Sequence, residues 1–118
     1  MVSRYDRTFI GIDYGKKRIG LSKSDPSGSI ASPLTTLEVS SDKEALSAVL
    51  GFINRYSPDG LVVGYPLHES GDNTDKCKEV DAFIEELARL YAGPIHRIDE
   101  RYKVTAGTKR ILQVTISE

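Results

Sequence analysis

Five short runs of the chain read as strands, and two longer runs repeat apolar residues at helical spacing. In the first run Ile10 and Ile12 alternate with Gly11, and β-branched residues suit a buried strand. Gly15 permits a tight, positive-φ turn that returns the chain as a second strand over Arg18 to Ser22. Asp25-Pro26-Ser27-Gly28 has turn chemistry, with proline presetting φ and glycine closing the bend. A third strand is expected across Ile30 to Val39, and Pro33, which lacks a ladder donor, implies an edge position or a bulge near its start. Together these strands predict an antiparallel meander.

Beyond Val39 the period changes. Ser41 followed three residues later by Glu44 matches a capping box, and Leu46, Val49, Leu50 and Ile53 recur at helical spacing up to Tyr56, with Pro58 just beyond. Leu61 to Tyr65 is apolar, short and bounded by Gly60 and Pro66, as a strand buried on both faces would be. A second helix begins near Asn73 or Thr74. Its stripe is Val80, Phe83, Ile84, Leu87 and Tyr91, with Glu85, Glu86 and Arg89 toward water, and it ends at Gly93-Pro94. Ile95 to Asp99 is another strand, and a last helical piece is expected from Thr105 to Gln113, weakened by Gly107 by about 1 kcal/mol relative to alanine. The order of elements predicts an α/β sheet of mixed direction.

At 118 residues and 39% apolar composition the chain is expected to form a single domain with an ordinary core. A formal charge of −1 argues against holding nucleic acid through bulk positive charge and requires any such contact to be local. One cysteine, Cys77, cannot form an internal disulfide, and no apolar run approaches the length of a membrane span. Met1 to Arg7 is polar and lacks the hydrophobic core of a secretory signal, so a cytoplasmic location is expected.

Candidate chemistry collects where strands end, because ligands of open α/β sheets gather beyond the carboxyl ends of the strands. Asp13 ends the first strand. The strand at Leu61 ends in Gly64-Tyr65-Pro66-Leu67 and a polar loop, and the last strand ends in Asp99-Glu100-Arg101. A buried carboxylate needs hydrogen bonds or a cation, so from these residues alone Asp13 is a turn cap or a metal ligand, and the alternatives stay open. Asp99 and Glu100 are either ligands or partners of Arg101, with Asp99 preferred as ligand; a period of two sends neighbouring side chains to opposite faces. Carboxylates meeting on one rim would suit Mg²⁺ or Mn²⁺, the ions of phosphodiester-cleaving sites. Lys16, Lys17 and Arg18 are either a plain exposed turn or phosphate contacts. Tyr14, Tyr65 and Tyr102 either stack bases or pack the rim. His68 is expected to be incidental, His96 structural, Cys77 a packing residue or an exposed bystander, and Glu69 and Asp72 solvated loop acids.

Four segments taken together carry a resemblance. Phe9-Ile-Gly-Ile-Asp-Tyr-Gly-Lys-Lys-Arg-Ile-Gly-Leu, Ala31-Ser-Pro-Leu, Leu61-Val-Val-Gly-Tyr-Pro-Leu with Gly71 downstream, and Ile98-Asp-Glu-Arg resemble the YqgF/RuvX family, over most of Phe9 to Leu112. The resemblance implies a ribonuclease-H-like fold: a mixed five-stranded sheet of three antiparallel meander strands plus two parallel ones, with flanking helices. It also implies a metal-dependent nuclease that matures the 5′ end of the 16S ribosomal RNA precursor or resolves branched DNA, working on structured nucleic acid, with a ribosome precursor as a partner, as a monomer or homodimer. By the same resemblance Asp13, Asp99 and Glu100 match acidic family positions and Lys16, Lys17 and Arg18 the basic turn beside them, so Asp13, Asp99 and Glu100 are the expected catalytic and metal-binding acids, and Lys16, Lys17 and Arg18, with Arg101, the expected substrate contacts.

The chain departs from that family at two places. Tyr102-Lys103-Val104 stands where members carry a Thr/Ser-rich continuation, and the Asp-Asp-x-Ala-Ala-like motif of a final helix has no counterpart; Glu118 is the last carboxylate. The expectation is a site one ligand short, hence a weak enzyme, one completed by a second chain, or an impaired RNA- or ribosome-binding module. Asp13 to Gly20 also resembles the first phosphate loop of actin-like and sugar-kinase ATPases, but one domain of this size lacks their second half.

Overall fold

The structure is a computed structural model that describes residues 8–24, 31–67 and 70–99. Its elements are β1 (Phe9–Tyr14), β2 (Arg18–Ser24), β3 (Ala31–Glu38), α1 (Asp42–Tyr56), β4 (Gly60–Tyr65), α2 (Asp75–Leu90) and β5 (Ile95–Asp99). They form one five-stranded sheet in the order β3-β2-β1-β4-β5. β1, β2 and β3 pair antiparallel, whereas β4 runs parallel to β1 and β5 parallel to β4. This is the mixed sheet expected from the sequence, with β1 at its centre. The helical piece expected over Thr105 to Gln113 and the turn at Asp25 to Gly28 lie outside the described residues.

Both described helices lie on one face of the sheet. Ile10, Ile12 and Tyr14 of β1, Ile19 and Leu21 of β2, and Leu61 and Val63 of β4 form a single buried cluster with Ala45, Val49 and Ile53 of α1 and Val80, Phe83, Ile84 and Leu87 of α2. Leu61, Val62 and Val63 are all fully buried, so β4 is covered on both faces, as its unbroken apolar run implied. The other face carries the alternate residues, among them Gly11 and Asp13 of β1, Gly20 and Ser22 of β2, and Val62 and Gly64 of β4. Pro33 acts as expected. β3 is an edge strand, and its pairing with β2 slips where Leu21 aligns with Thr35 but Ser22 with Pro33.

The caps explain where the helices start. Ser41 accepts a hydrogen bond from the Glu44 amide at 3.1 Å, while the Glu44 carboxylate reaches back to the Ser40 hydroxyl at 2.6 Å rather than to Ser41 itself. Thr74 caps α2 by accepting from the Cys77 amide at 3.3 Å and donates its own hydroxyl to the Pro66 carbonyl at 2.9 Å. That second bond ties the helix start to the end of β4. Gly15 is required for a reason other than the one expected: its φ lies outside the left-handed region, but a Cβ there would come within 2.8 Å of the Arg18 carbonyl oxygen.

Candidate nucleic-acid-cleaving site

Alternation along β1 decides what Asp13 can reach. Its neighbours Ile12 and Tyr14 enter the helix-side core, so the half-buried Asp13 carboxylate belongs to the opposite face. Gly20 lies directly across from it on β2. On β4 the register aligns Ile12 with Val63, and one step further brings Gly64 level with Asp13. Strands are about 4.8 Å apart, so on both flanks the acid faces a residue that has no side chain. Sequence reasoning gave neither glycine a role; the available signal was a glycine interrupting a strand beside an acid, which often marks a close approach by something else.

The end of β5 is organised differently. Arg97 aligns with Val63 and Asp99 with Tyr65. Val63 is core, and the Tyr65 hydroxyl and the Arg97 guanidinium both meet Asp81 of α2, so this register places Asp99 on the helix side of the sheet. Strand alternation therefore assigns Asp13 and Asp99 to opposite faces of the sheet, whereas the expectation was one shared rim. The reason is parity: β4 aligns with β1 and β5 so that Asp13 falls level with Ile98 rather than with Asp99. Glu100 and Arg101 lie outside the described residues, as do His68, Glu69 and Tyr102. Among the described residues no group of three or more His, Cys, Asp or Glu side chains is placed to hold a metal ion. The Asp13 carboxylate nevertheless fits a hard divalent cation, because Mg²⁺ commonly takes only one or two protein carboxylates, keeps several waters and completes its shell with phosphate oxygens.

Lys16 and Lys17, in the turn that follows β1, and Arg18, the first residue of β2, are exposed, and together with Glu38, Val39 and Ser40 they line an open groove of about 470 Å³. They are not equivalent. Lys16 is engaged by Glu79 of α2 at 3.1 Å, and Arg18 aligns with Glu38 across the β2–β3 pair. No ion pair of Lys17 is recorded among the described residues. Tyr14 and Tyr65 pack rather than face outward. Tyr14 stacks on Phe83 with ring centroids 4.7 Å apart and donates to Asp42 at 2.6 Å; burial first, then that bond, raises its phenol well above the ordinary range. Tyr65 donates to Asp81 at 2.8 Å, and chiefly for that reason its pKa is pushed up to about 12. Cys77 is buried, Asp72 is exposed, and His96 is an exposed residue aligned with Val62.

The strand order, the two helices on one face and the acid at the end of the central strand define a ribonuclease-H-like fold. Solved structures with that arrangement include Thermus thermophilus RuvC, at TM-score 0.63 and 14% identity over 93% of this chain and 92% of that one. RuvC from the same organism in complex with a Holliday junction substrate matches at TM-score 0.61 and 15% identity, over 79% of this chain and 63% of that one. At such identities the likeness is one of fold. The family model described as "RuvX: Holliday junction resolvase" matches residues 7–118, and the chain belongs to that family. A relative from Roseiflexus sp. (strain RS-1), named "Putative pre-16S rRNA nuclease", is 36% identical over 107 residues, spanning 91% of this chain and 76% of the relative. Another of the same name from Rickettsia canadensis is 39% identical over 97 residues, spanning 82% of this chain and 63% of the relative. Among the described residues no helix is long and apolar enough to cross a membrane.

Proposed function

We propose that the chain is a divalent-metal-dependent nuclease that hydrolyses a phosphodiester bond in the 5′ region of the 16S ribosomal RNA precursor. The observation that carries this reading is Asp13, held at the carboxyl end of the central strand between Gly20 and Gly64, with a basic turn starting three residues later. The ribosomal substrate is favoured over branched DNA because the relatives named for it are 36% and 39% identical to this chain over the aligned residues, whereas RuvC shares the fold alone.

Asp13 and Glu100 would hold Mg²⁺ or Mn²⁺. Glu100 is preferred to Asp99 because Asp99 aligns with Tyr65, on the helix side of the sheet. When bound, such an ion supplies Lewis acidity and a water of lowered pKa. The chain's own residues do the rest. Asp13 contributes an anionic oxygen at a fixed point of a rigid strand, and the two glycines leave room for a phosphate to approach it. Lys17 and Arg18 steady the phosphate backbone, as does Arg101, while Lys16 contributes less because Glu79 already neutralises it.

The test is cleavage of a 16S precursor transcript and of a four-way DNA junction side by side, with Mg²⁺, with Mn²⁺ and with chelator. Metal-dependent cutting of the transcript near its mature 5′ end, abolished in Asp13→Asn, is the expected result. Chelator-insensitive RNA binding without cleavage would replace the nuclease with a binding module.

A further inference from the structure

At the end of β1 opposite Asp13 lies a cavity of about 220 Å³, with Phe9, Ile10, Lys23, Ser32, Tyr56 and Pro58 among its lining residues. Its walls are held in place. The Phe9 amide donates to Ser24 Oγ at 2.8 Å, and the buried Pro58 offers its carbonyl to the Tyr91 hydroxyl at 3.1 Å. The cavity is therefore formed before any occupant arrives, as small-ligand sites usually are.

Its chemistry selects the occupant. Ile10 and Pro58 are buried and apolar, Phe9 and Tyr56 add two aromatic rings, and the exposed Ser32 adds a hydroxyl. Two cations gather on one of those rings: Lys23 Nζ lies 4.7 Å and the Arg55 guanidinium 5.6 Å from the centre of Tyr56. No ion pair of either is recorded among the described residues. Asp59, the acid beside Pro58, accepts from the Thr8 amide at 2.8 Å. Like charges brought to one ring oppose each other, and an anion there relieves the opposition. An exposed lysine holds a ring only weakly, so Lys23 can leave it for a phosphate and free the ring face for a base. Aromatic faces, an apolar wall and an uncommitted cation are what an unpaired nucleotide requires.

A chain of formal charge −1 must grip nucleic acid at local features. The basic turn supplies one at the carboxyl end of β1. Lys23 aligns with Ile10, three residues before Asp13, so the cavity stands about 10 Å back along the strand. Two footholds separated in this way would fix how the RNA lies relative to Asp13.

We propose that this cavity is a second nucleic-acid subsite, which takes one unpaired nucleotide of the RNA with its base against Tyr56 and Phe9 and its phosphate on Lys23. The choice of RNA rests on the nuclease reading above; the cavity and its charges do not.

The experiment measures binding of the precursor transcript to the full chain in chelator, for the parent, Asp13→Asn, Lys23→Ala, Tyr56→Leu and Tyr56→Phe, and follows the parent's resonances during titration with uridine 5′-monophosphate. Tyr56→Leu should weaken transcript affinity about 5-fold or more, and Tyr56→Phe, which keeps the ring, should retain most of it. Lys23→Ala should weaken binding and lower the salt slope by about 1; its side chain is exposed, so it gives the answer should Tyr56→Leu fold poorly. The mononucleotide should perturb Phe9, Lys23 and Tyr56. If Lys23→Ala and Tyr56→Leu bind the transcript as the parent does, the subsite is wrong, whether or not the mononucleotide binds, and the nuclease reading stands. If both variants lose affinity while the parent cleaves nothing with Mg²⁺ or Mn²⁺, the subsite stands and the nuclease reading falls. Losses that merely track Tm, or an equal loss in Tyr56→Phe and Tyr56→Leu, would also overturn the stacking role.

Discussion

Asp13 faces Gly20 across the β1–β2 pair. An acid at the centre of a sheet is thereby given a neighbour that cannot crowd it, and on the β4 side Gly64 repeats the arrangement. Gly20→Val should fill that space: cleavage is expected to fall at least 10-fold while the fold survives, because valine suits a strand better than glycine does. Parallel circular dichroism and cleavage assays check this. Normal activity in a folded Gly20→Val protein would show that nothing approaches Asp13 from that side.

The basic turn should act on affinity rather than on rate. Lys17→Ala and Arg18→Ala are each expected to weaken nucleic-acid binding evenly across sequences and to reduce the slope of log K against log salt by about 1. Lys16→Ala should do less, since Glu79 already holds its ammonium at 3.1 Å. Conversely, Glu79→Gln should strengthen binding by releasing it. Filter binding over a salt series distinguishes the four variants.

Core and cap variants test the packing independently of the chemistry. Leu87 is fully buried between α2 and the sheet, and Leu87→Ala should cost about 2–5 kcal/mol in denaturant unfolding. Ser41→Ala should cost about 1 kcal/mol as an ordinary lost cap. Thr74→Ala is expected to cost more than Ser41→Ala, because it also removes the bond to the Pro66 carbonyl; Thr74→Ser should restore most of the loss.

Alkaline titration has a definite sign. Tyr65 in the folded chain has a pKa of about 12 against 10.0 for a free phenol, and Tyr14 is raised as well. The unfolded chain therefore releases these protons first as pH rises, the native state holds more of them, and stability falls with pH above about 10. Below that pH the contribution is fully present. Unfolding midpoints across the alkaline range should drop, and the drop should shrink in Tyr14→Phe, whose phenol no longer titrates.

Most of the fold was legible in local signals. The capping serine, the threonine before α2, the proline on β3 and the unbroken apolar run of β4 each named an element that the structure contains, because each is a short-range constraint on the backbone. The mixed five-stranded sheet was implied by the family resemblance, and the unbroken apolar run of β4 agreed with a strand inside it. The site was only partly legible. Asp13 could be found from its place at a strand end, but the face on which Asp99 falls depends on how β5 aligns with β4, a long-range register that no local pattern encodes. A shift of one residue would have reversed it. Tyr14 and Tyr65 were ambiguous for the same reason: an aromatic beside a rim becomes core or contact according to the parity of its strand.

The slip between β2 and β3 has a consequence for how the molecule behaves among its own copies. With Pro33 lacking a donor and the ladder stepping out of phase beside it, the β3 margin is a poor template for an incoming strand. Assembly by extending the described sheet is therefore favoured at its opposite margin, β5, over β3.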